Sequence, residues 1–285
     1  MSFTGSPRVL KRRIASELTR MRLELGWSQA HVARLMSSSE GRIANLEGQR
    51  NFPKPEFLEK LLRIYGREDE TGHYLSLLEE ARGNKAVWEN IDLTAEPVGL
   101  DDYLGLERGA SKIEGYESRL VPGLLQTHDY ARDVIRGRQR SDSKLDQKIE
   151  LRTRRQEILT RSEQPVRLWM IIEEQVLDRP VGTSKTMRDQ LEHLMELGNL
   201  DNVQLQVCPT SLGSHPALTA PFTIFHVPIP GDPGLVSVET RIKTIWFDDQ
   251  AEVDQHVEIL NHLRTLALTP EQSHALLDTK RKEYQ

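Results

Sequence analysis

A twenty-residue stretch, residues 28–47, constrains the fold of this chain more than any other part of the sequence. Its apolar residues recur at spacings of three, four and seven, which is the periodicity of α-helices. These positions are Val32, Met36, Ile43 and Leu46. A serine precedes each half of the pattern, Ser28 and Ser39, where a hydroxyl can cap the N-terminus of a helix. The stretch therefore predicts two short helices joined by a tight turn.

Helical patterns continue on both sides of this pair. An apolar stripe precedes it and stops at Gly26, a residue suited to the left-handed conformation at a helix end. The members of this stripe are Val9, Ile14, Leu18, Met21 and Leu25. A further amphipathic helix begins at Pro53 and Pro55, since proline is well tolerated in a first helical turn. Residues 1–66 are therefore predicted to form an all-α domain, and residues 67–98 a helical connector.

Residues 28–47 resemble, without a gap, the helix-turn-helix of the Cro/phage-repressor (Xre) family. The resemblance lies in a small residue followed by Gln29, in Ala33 where the two helices must cross closely, and in the Leu46-Glu47-Gly48 ending. It implies a phage-repressor-like DNA-binding domain whose second helix enters the major groove. A helical hairpin without any role in DNA binding is the alternative interpretation.

The same resemblance assigns roles to individual residues. The base-reading positions of the family correspond to Gln29, Glu40, Gly41 and Asn45. Gln and Asn side chains pair with adenine, and Glu accepts a hydrogen bond from cytosine. The residues that we assign to phosphate contacts are Ser28, Ser39, Arg42, Arg50 and Lys54. Arg22 and Arg34 either contact DNA or belong to solvated helix faces. Gly41 has no side chain, and Asn45 reaches less far than an Arg or Gln, so we expect few base contacts per half-site.

The charge of the chain is unevenly distributed. Over all 285 residues the formal net charge is −5. Residues 1–66 hold twelve basic and six acidic side chains, a net charge of +6, which leaves −11 for the rest. A basic module attached to an acidic body is expected when one part of a protein meets phosphates. A solvated helical surface rich in arginine would give the same charge.

Cysteine content and hydropathy indicate the compartment. The single cysteine, Cys208, excludes an intrachain disulfide framework and any site built from several cysteines, and it fits a reducing environment. No apolar run approaches the roughly 20 residues that a membrane-spanning helix needs. The first seven residues also lack the apolar segment of a secretory signal. We therefore expect a cytoplasmic protein without a membrane partner.

Residues 99–285 show a mixture of helical and strand patterns. The candidate strands lie at 111–120, 165–172, 203–207, 221–227, 235–240 and 244–247. The strand at 203–207 alternates polar and apolar residues, which predicts that it is half exposed. Two helices close the chain, and the second opens with Thr269-Pro270-Glu271-Gln272, the pattern of a capping box. These features predict a C-terminal α+β domain built on a mixed sheet of about five strands.

The order of several motifs in this second region is similar to that in one group of regulators. The matching runs lie at 120–131, 152–156, 168–169, 179–182 and 214–216. Together with the helix-turn-helix, they resemble the actinobacterial WhiJ-like regulators, which carry a large C-terminal domain of unknown function. The resemblance covers nearly the whole chain. It implies a link to development and antibiotic production, and a small acidic partner protein encoded nearby.

Motifs for catalysis are not evident. The sequence has no glycine-rich phosphate loop and no Gly-x-Ser-x-Gly elbow, and His256 and His262 are not spaced as zinc ligands on one helix face. We therefore predict no enzymatic activity, no metal and no cofactor. Cys208 is interpreted as an inert, packed thiol rather than a nucleophile. Arg152 and Arg155 form either a surface for an anionic ligand or partner, or an exposed helix face. His215 is predicted on a loop that either lines a pocket or has no binding role.

The predicted function is a sequence-specific, DNA-binding transcriptional regulator. One short recognition helix supplies too few base contacts for operator-level specificity, so we expect a homodimer on a palindromic operator. The C-terminal domain would supply dimer contacts, a partner-protein surface or a small-molecule site. The alternative is an antitoxin-like interaction protein that neutralises a small partner and autoregulates through its helix-turn-helix.

Overall fold

The computed structural model describes residues 7–83, 100–138, 145–229 and 231–284. Its chain forms two compact units. The first holds residues 1–89 together with 228–232, and the second holds 90–227 and 233–285. The first unit is all-helical up to residue 83, and the second is an α+β domain with a mixed sheet. The predicted fold class is therefore confirmed.

Five α-helices build the described part of the first unit. They are α1 (Pro7–Glu24), α2 (Gln29–Leu35), α3 (Glu40–Glu47), α4 (Pro55–Ile64) and α5 (Thr71–Gly83). Gly26 follows α1 with a left-handed φ of 69°, as its position after the apolar stripe predicts. The predicted two-helix pair corresponds to α2 and α3.

The core of the first unit contains the apolar positions that define the helix pair. Val32, Met36, Ile43 and Leu46 are each no more than 5% exposed. They pack with the apolar stripe on α1. Of the residues predicted for that stripe, only Leu25 is exposed, at 42%, because it lies beyond the end of the helix.

Helix α5 belongs to this core. Its buried residues in the core cluster are Tyr74, Leu77, Leu78 and Ala81. The segment 71–83 of the predicted connector therefore packs against the other helices, and the domain boundary at residue 66 stays a prediction. The rest of the predicted connector from residue 84 lies outside the described residues.

The second unit is built on a six-stranded sheet. Its strands are β1 (Lys112–Glu117), β2 (Arg167–Glu173), β3 (Val203–Cys208), β4 (Phe222–His226), β5 (Leu235–Glu239) and β6 (Thr244–Phe247). They lie in the order β3-β2-β1-β4-β5-β6. β1, β2 and β3 run parallel, whereas β4, β5 and β6 join by antiparallel pairing. The sheet has six strands against the predicted number of about five, because all six candidate segments, including the four-residue β6 at the edge, form strands.

Among the described residues of this unit, eight α-helices accompany the sheet. They are α6 (Leu100–Gly109), α7 (His128–Arg138), α8 (Leu145–Arg155), α9 (Glu157–Thr160), α10 (Glu174–Asp178), α11 (Ser184–Gly198), α12 (Gln250–Leu266) and α13 (Pro270–Glu283). The capping box of α13 is confirmed. Thr269 Oγ1 accepts a hydrogen bond of 3.2 Å from the Gln272 amide, and Gln272 Oε1 accepts one of 3.0 Å in return. No helix in the described ranges is long and apolar enough to cross a membrane.

The edge strand β3 is more buried than its alternating sequence predicts. Gln206 points into the protein, where its amide nitrogen donates to the carbonyl of Leu268 at 2.9 Å. Its amide oxygen accepts a hydrogen bond of 2.8 Å from the Trp169 indole. The prediction of a half-exposed strand is therefore wrong, since a polar residue in the alternation satisfies its hydrogen bonds inside the domain.

Candidate nucleic-acid interface

The two helices of the candidate interface begin at the predicted serines. Ser28 Oγ accepts a hydrogen bond of 3.1 Å from the His31 amide at the start of α2. Ser39 Oγ accepts one of 3.3 Å from the Arg42 amide at the start of α3. Between the helices Ser37 takes a left-handed φ of 49°, which reverses the chain within three residues. The sequence therefore specifies both helix starts and the turn.

A buried ion pair fixes the three helices around this turn. Arg22, near the end of α1, donates through Nε and Nη2 to both carboxylate oxygens of Glu47 on α3, at 2.7 Å each. The two side chains are 9% and 6% exposed. Arg22 Nη1 also donates to the carbonyl of Trp27 at 2.7 Å. Arg22 is therefore a structural residue, and its interpretation as a DNA contact or a solvated side chain is wrong.

Gln29 joins the same network. Its amide nitrogen donates to Glu47 Oε2 at 2.8 Å, so the first residue of α2 is tied to the last residue of α3. The side chain is half buried. Its assignment to base reading stays a prediction, and it now has a second role in orienting α3.

The first turn of α3 is exposed. Glu40, Gly41 and Arg42 face solvent, and Asn45, one turn further on, is half buried. The Arg42 guanidinium lies 4.0 Å from the centre of the Phe57 ring, which holds this long side chain against the start of α4. A Cβ added at Gly41 would meet no atom within 4 Å. The predicted base-reading positions of α3 thus occupy an open helix surface.

Two of the predicted DNA contacts touch each other. Arg50 Nη1 donates to Asn45 Oδ1 at 3.2 Å, and the Arg50 amide donates to the Asn45 carbonyl at 2.9 Å. Lys54 caps α4 with its carbonyl, which accepts from the Phe57 and Leu58 amides, and its side chain is exposed. The contact between Asn45 and Arg50 brings a predicted base reader beside a predicted phosphate contact.

Comparison with protein families matches both units. A family described as a helix-turn-helix domain matches residues 13–90, which include all of α2 to α5. A family described as a domain of unknown function, DUF5753, matches residues 100–279, more than half of the chain.

The chain belongs to the DUF5753 family. Its helix-turn-helix domain suggests a DNA-binding regulator. Searches of curated proteins and of solved structures found no match.

In the DUF5753 domain, Arg155 lies inside the protein. Its Nε and Nη2 atoms donate to the two carboxylate oxygens of Glu107 at 2.7 Å each, and the guanidinium lies 5.4 Å from the Tyr103 ring centre. The alternative of an exposed helix face is wrong for Arg155, because its side chain is only 13% exposed and is paired with Glu107, whereas its assignment to a ligand or partner surface stays a prediction. Arg152 donates to Gln126 Oε1 at 2.9 Å and is half buried.

His215 also lies in the interior of the DUF5753 domain. Its side chain is 1% exposed, and Nε2 lies 2.9 Å from Glu173 Oε1. The prediction of a loop position is confirmed for the backbone, which precedes the short turn Pro216–Thr219. The side chain points into the core rather than to an exposed surface, and its assignment to a ligand or partner site stays a prediction.

Cys208, at the end of β3, is fully buried as predicted. Burial raises the pKa of its thiol to about 12, and the neighbouring Glu173 carboxylate adds to the increase. A protonated thiol is a poor nucleophile, which supports the interpretation of Cys208 as a non-catalytic residue. No sequence pattern predicts that Cys208, Glu173 and His215 lie together.

Proposed function

We propose that this protein is a sequence-specific, DNA-binding transcriptional regulator of the Xre type, within the actinobacterial WhiJ-like group. The observation that carries the proposal is the open first turn of α3, held in a fixed orientation by the Arg22–Glu47 pair. A recognition helix must present its N-terminal residues to base edges from a rigid support. The charge of +6 on residues 1–66 supplies attraction to phosphates.

The proposed base contacts use the side chains at the two ends of this surface. Glu40 would accept from the amino group of cytosine, and Asn45 would pair with adenine. Because the Asn45 oxygen has two acceptor positions, it can keep its hydrogen bond from Arg50 while it accepts another from adenine. Arg42, Arg50 and Lys54 would bind phosphates and set the position of the domain on the duplex.

We infer that the protein acts as a homodimer in the cytoplasm and has no enzymatic activity. Gly41 contributes no side chain to base recognition, so a single α3 provides few specific contacts. Two copies on a palindrome would double that number. The DUF5753 domain, with its acidic excess, would hold the dimer together, bind a small partner protein or bind an effector.

The experiment that tests this function is selection of duplexes from a random library by the full-length protein, followed by sequencing. The expected result is an enriched palindrome whose half-sites are separated by about 10 base pairs, one helical turn. Binding to the enriched duplex should weaken linearly with the logarithm of salt concentration. Recovery of no enriched sequence would contradict the proposal. Tight co-purification of a small acidic protein in that case would favour the antitoxin-like alternative.

A further inference from the structure

Two neighbouring parallel strands of the DUF5753 domain end at one edge of the sheet with residues that can bind a metal. Glu173 closes β2, and Cys208 closes β3 directly opposite it in the strand register. Tyr116 lies near the end of β1, and His215 follows β3 after one turn. The carboxyl ends of parallel strands are the edge at which open α/β sheets bind ligands.

The donor atoms of this edge converge. One atom each from Glu173, Cys208 and His215 lies within 4.8 Å of the other two. All three residues are more than nine-tenths buried. The arrangement brings a carboxylate, a thiol and an imidazole together in the interior of the domain.

One polar atom of this cluster is unsatisfied. The Nδ1 atom of His215 is buried and has no hydrogen-bond partner among the described residues. A buried polar atom without a partner costs about 1–3 kcal/mol, so such an atom calls for an explanation. Nε2 is the ring nitrogen that faces Glu173, at 2.9 Å from Oε1, so Nε2 is the candidate metal ligand. With the ring proton on Nδ1, Nε2 carries a lone pair directed at the carboxylate, which is the form of imidazole that binds metals.

We propose that Glu173, Cys208 and His215 bind a divalent transition-metal ion, with Zn²⁺ as the ion that best matches the donor set. Zinc accepts sulfur, nitrogen and oxygen ligands at roughly 2.0–2.3 Å, which places tetrahedral ligands about 3.5 Å apart. The observed separations, all within 4.8 Å, exceed that value by no more than about 1.3 Å. On binding, the S–H bond of Cys208 breaks, a metal–sulfur bond forms and the proton leaves to solvent, without any change of oxidation state.

Tyr116 is a positioning residue for this site. Its hydroxyl donates a hydrogen bond of 3.0 Å to Glu173 Oε1, and its ring meets that of His215 edge-on, with the centres 5.5 Å apart. Hydrogen bonds of this kind orient a ligating carboxylate. The proposal rests on the second unit and is independent of the DNA-binding function proposed for the first.

The test uses the full-length protein, treated with a chelator and then titrated with Zn²⁺ or Co²⁺. We expect one metal ion per chain by elemental analysis and a higher melting temperature in its presence. With Co²⁺ we expect a thiolate-to-cobalt charge-transfer band in the near ultraviolet. Because the sequence has a single cysteine, such a band must arise from Cys208. This measurement needs no variant, so it tests whether Cys208 binds the metal even if a substitution in the core prevents folding.

Variants then assign the remaining ligands. Cys208→Ser should abolish the band, and Tyr116→Phe should weaken metal binding about 10-fold. His193→Gln is the matched control, because His193 also has a buried ring nitrogen without a partner among the described residues. It should bind metal as the unmodified protein does. The absence of bound metal, of a charge-transfer band and of a thermal shift in the unmodified protein would overturn the proposal. If His215→Gln binds metal as tightly as the unmodified protein, His215 is not a ligand and the proposed three-residue site is overturned.

Discussion

Arg22 and Glu47, twenty-five residues apart in the chain, form a bidentate ion pair that joins the end of α1 to the end of α3. Gln29 donates to the same carboxylate from the start of α2. The orientation of the candidate recognition helix therefore depends on one buried carboxylate that accepts hydrogen bonds from two other helices.

Replacement of Arg22 should loosen the helix-turn-helix. The variant Arg22→Met leaves Glu47 buried without its cation, which costs about 3–5 kcal/mol when one partner of a buried pair is removed. Hydrogen exchange of the α3 amides in the full-length protein measures the free energy of local opening. As a control, Arg20→Met removes the two ion pairs of an exposed arginine on the same helix, with Glu17 and Glu24, and should cost less than about 1 kcal/mol. Equal exchange in the two variants would disprove the structural role of Arg22.

Replacement of Gly41 by alanine should stabilise the protein in the absence of DNA. Since an added Cβ meets no atom within 4 Å, Gly41→Ala should stabilise α3 by about 0.5–1 kcal/mol. Gly66 makes a matched control, because its surroundings are equally open but its φ is +70°. Gly66→Ala should therefore destabilise the domain through backbone strain alone. Thermal unfolding of both variants tests the pair, and a shift in the same direction for both would contradict the explanation.

Glu114 should make the DUF5753 domain sensitive to acid. Burial by itself would raise the pKa of Glu114, but hydrogen bonds from His226 and Lys112 and the charge of Arg264 outweigh it and lower the pKa to about 2. A carboxyl group with a lowered pKa stabilises the fold fully above its ordinary value near 4.5, and this stabilisation is lost as the pH falls toward 2.

The comparison that isolates this effect is Glu114→Gln against the unmodified protein in urea unfolding at several pH values. The variant should be less stable at pH 6, and the difference in free energy of unfolding should shrink between pH 4.5 and 2. A difference that stays constant over this range would exclude the ionised carboxylate as its cause.

Much of this architecture could be predicted because it is encoded locally. The serine caps of α2 and α3, the apolar positions between them and the capping box at Thr269 each lie within a few residues of one another. Hydrogen bonds over such short separations are set by residue type and spacing alone. The alternating patterns are local in the same way, and they predicted a mixed α+β domain. They could not predict the burial of Gln206, because its partners Trp169 and Leu268 are distant in the sequence.

The rest depends on residues that only the tertiary fold brings together. The Arg155–Glu107 pair spans 48 residues, and the cluster of Glu173, Cys208 and His215 draws on two strands and a loop. The sequence around an arginine on a charged helix, or around a single cysteine in a strand, does not indicate which distant residue it contacts. Sheet order and register decide which of them meet, and neither can be read from local periodicity.

Asn45 and Lys54 should differ in what they contribute to DNA binding. Asn45→Ala removes a proposed base contact and should lower the preference for the selected operator over scrambled DNA about 10-fold or more. Lys54→Ala should weaken both complexes alike and reduce the salt dependence. Arg50→Ala should lower the preference for the operator and also weaken binding to both duplexes, each to a smaller degree, since Arg50 also holds the Asn45 side chain. Fluorescence anisotropy with both duplexes measures these effects. An equal loss on both duplexes for Asn45→Ala would refute its role in base reading.

The most direct test of sequence-specific regulation is the ratio of two dissociation constants, measured with the full-length protein at one fixed salt concentration. One duplex carries the operator enriched by selection, and the other has the same composition in scrambled order. A protein that reads bases through α3 should bind the operator at least about 1,000-fold more tightly. Equal affinity for the two duplexes would contradict sequence-specific recognition by this domain.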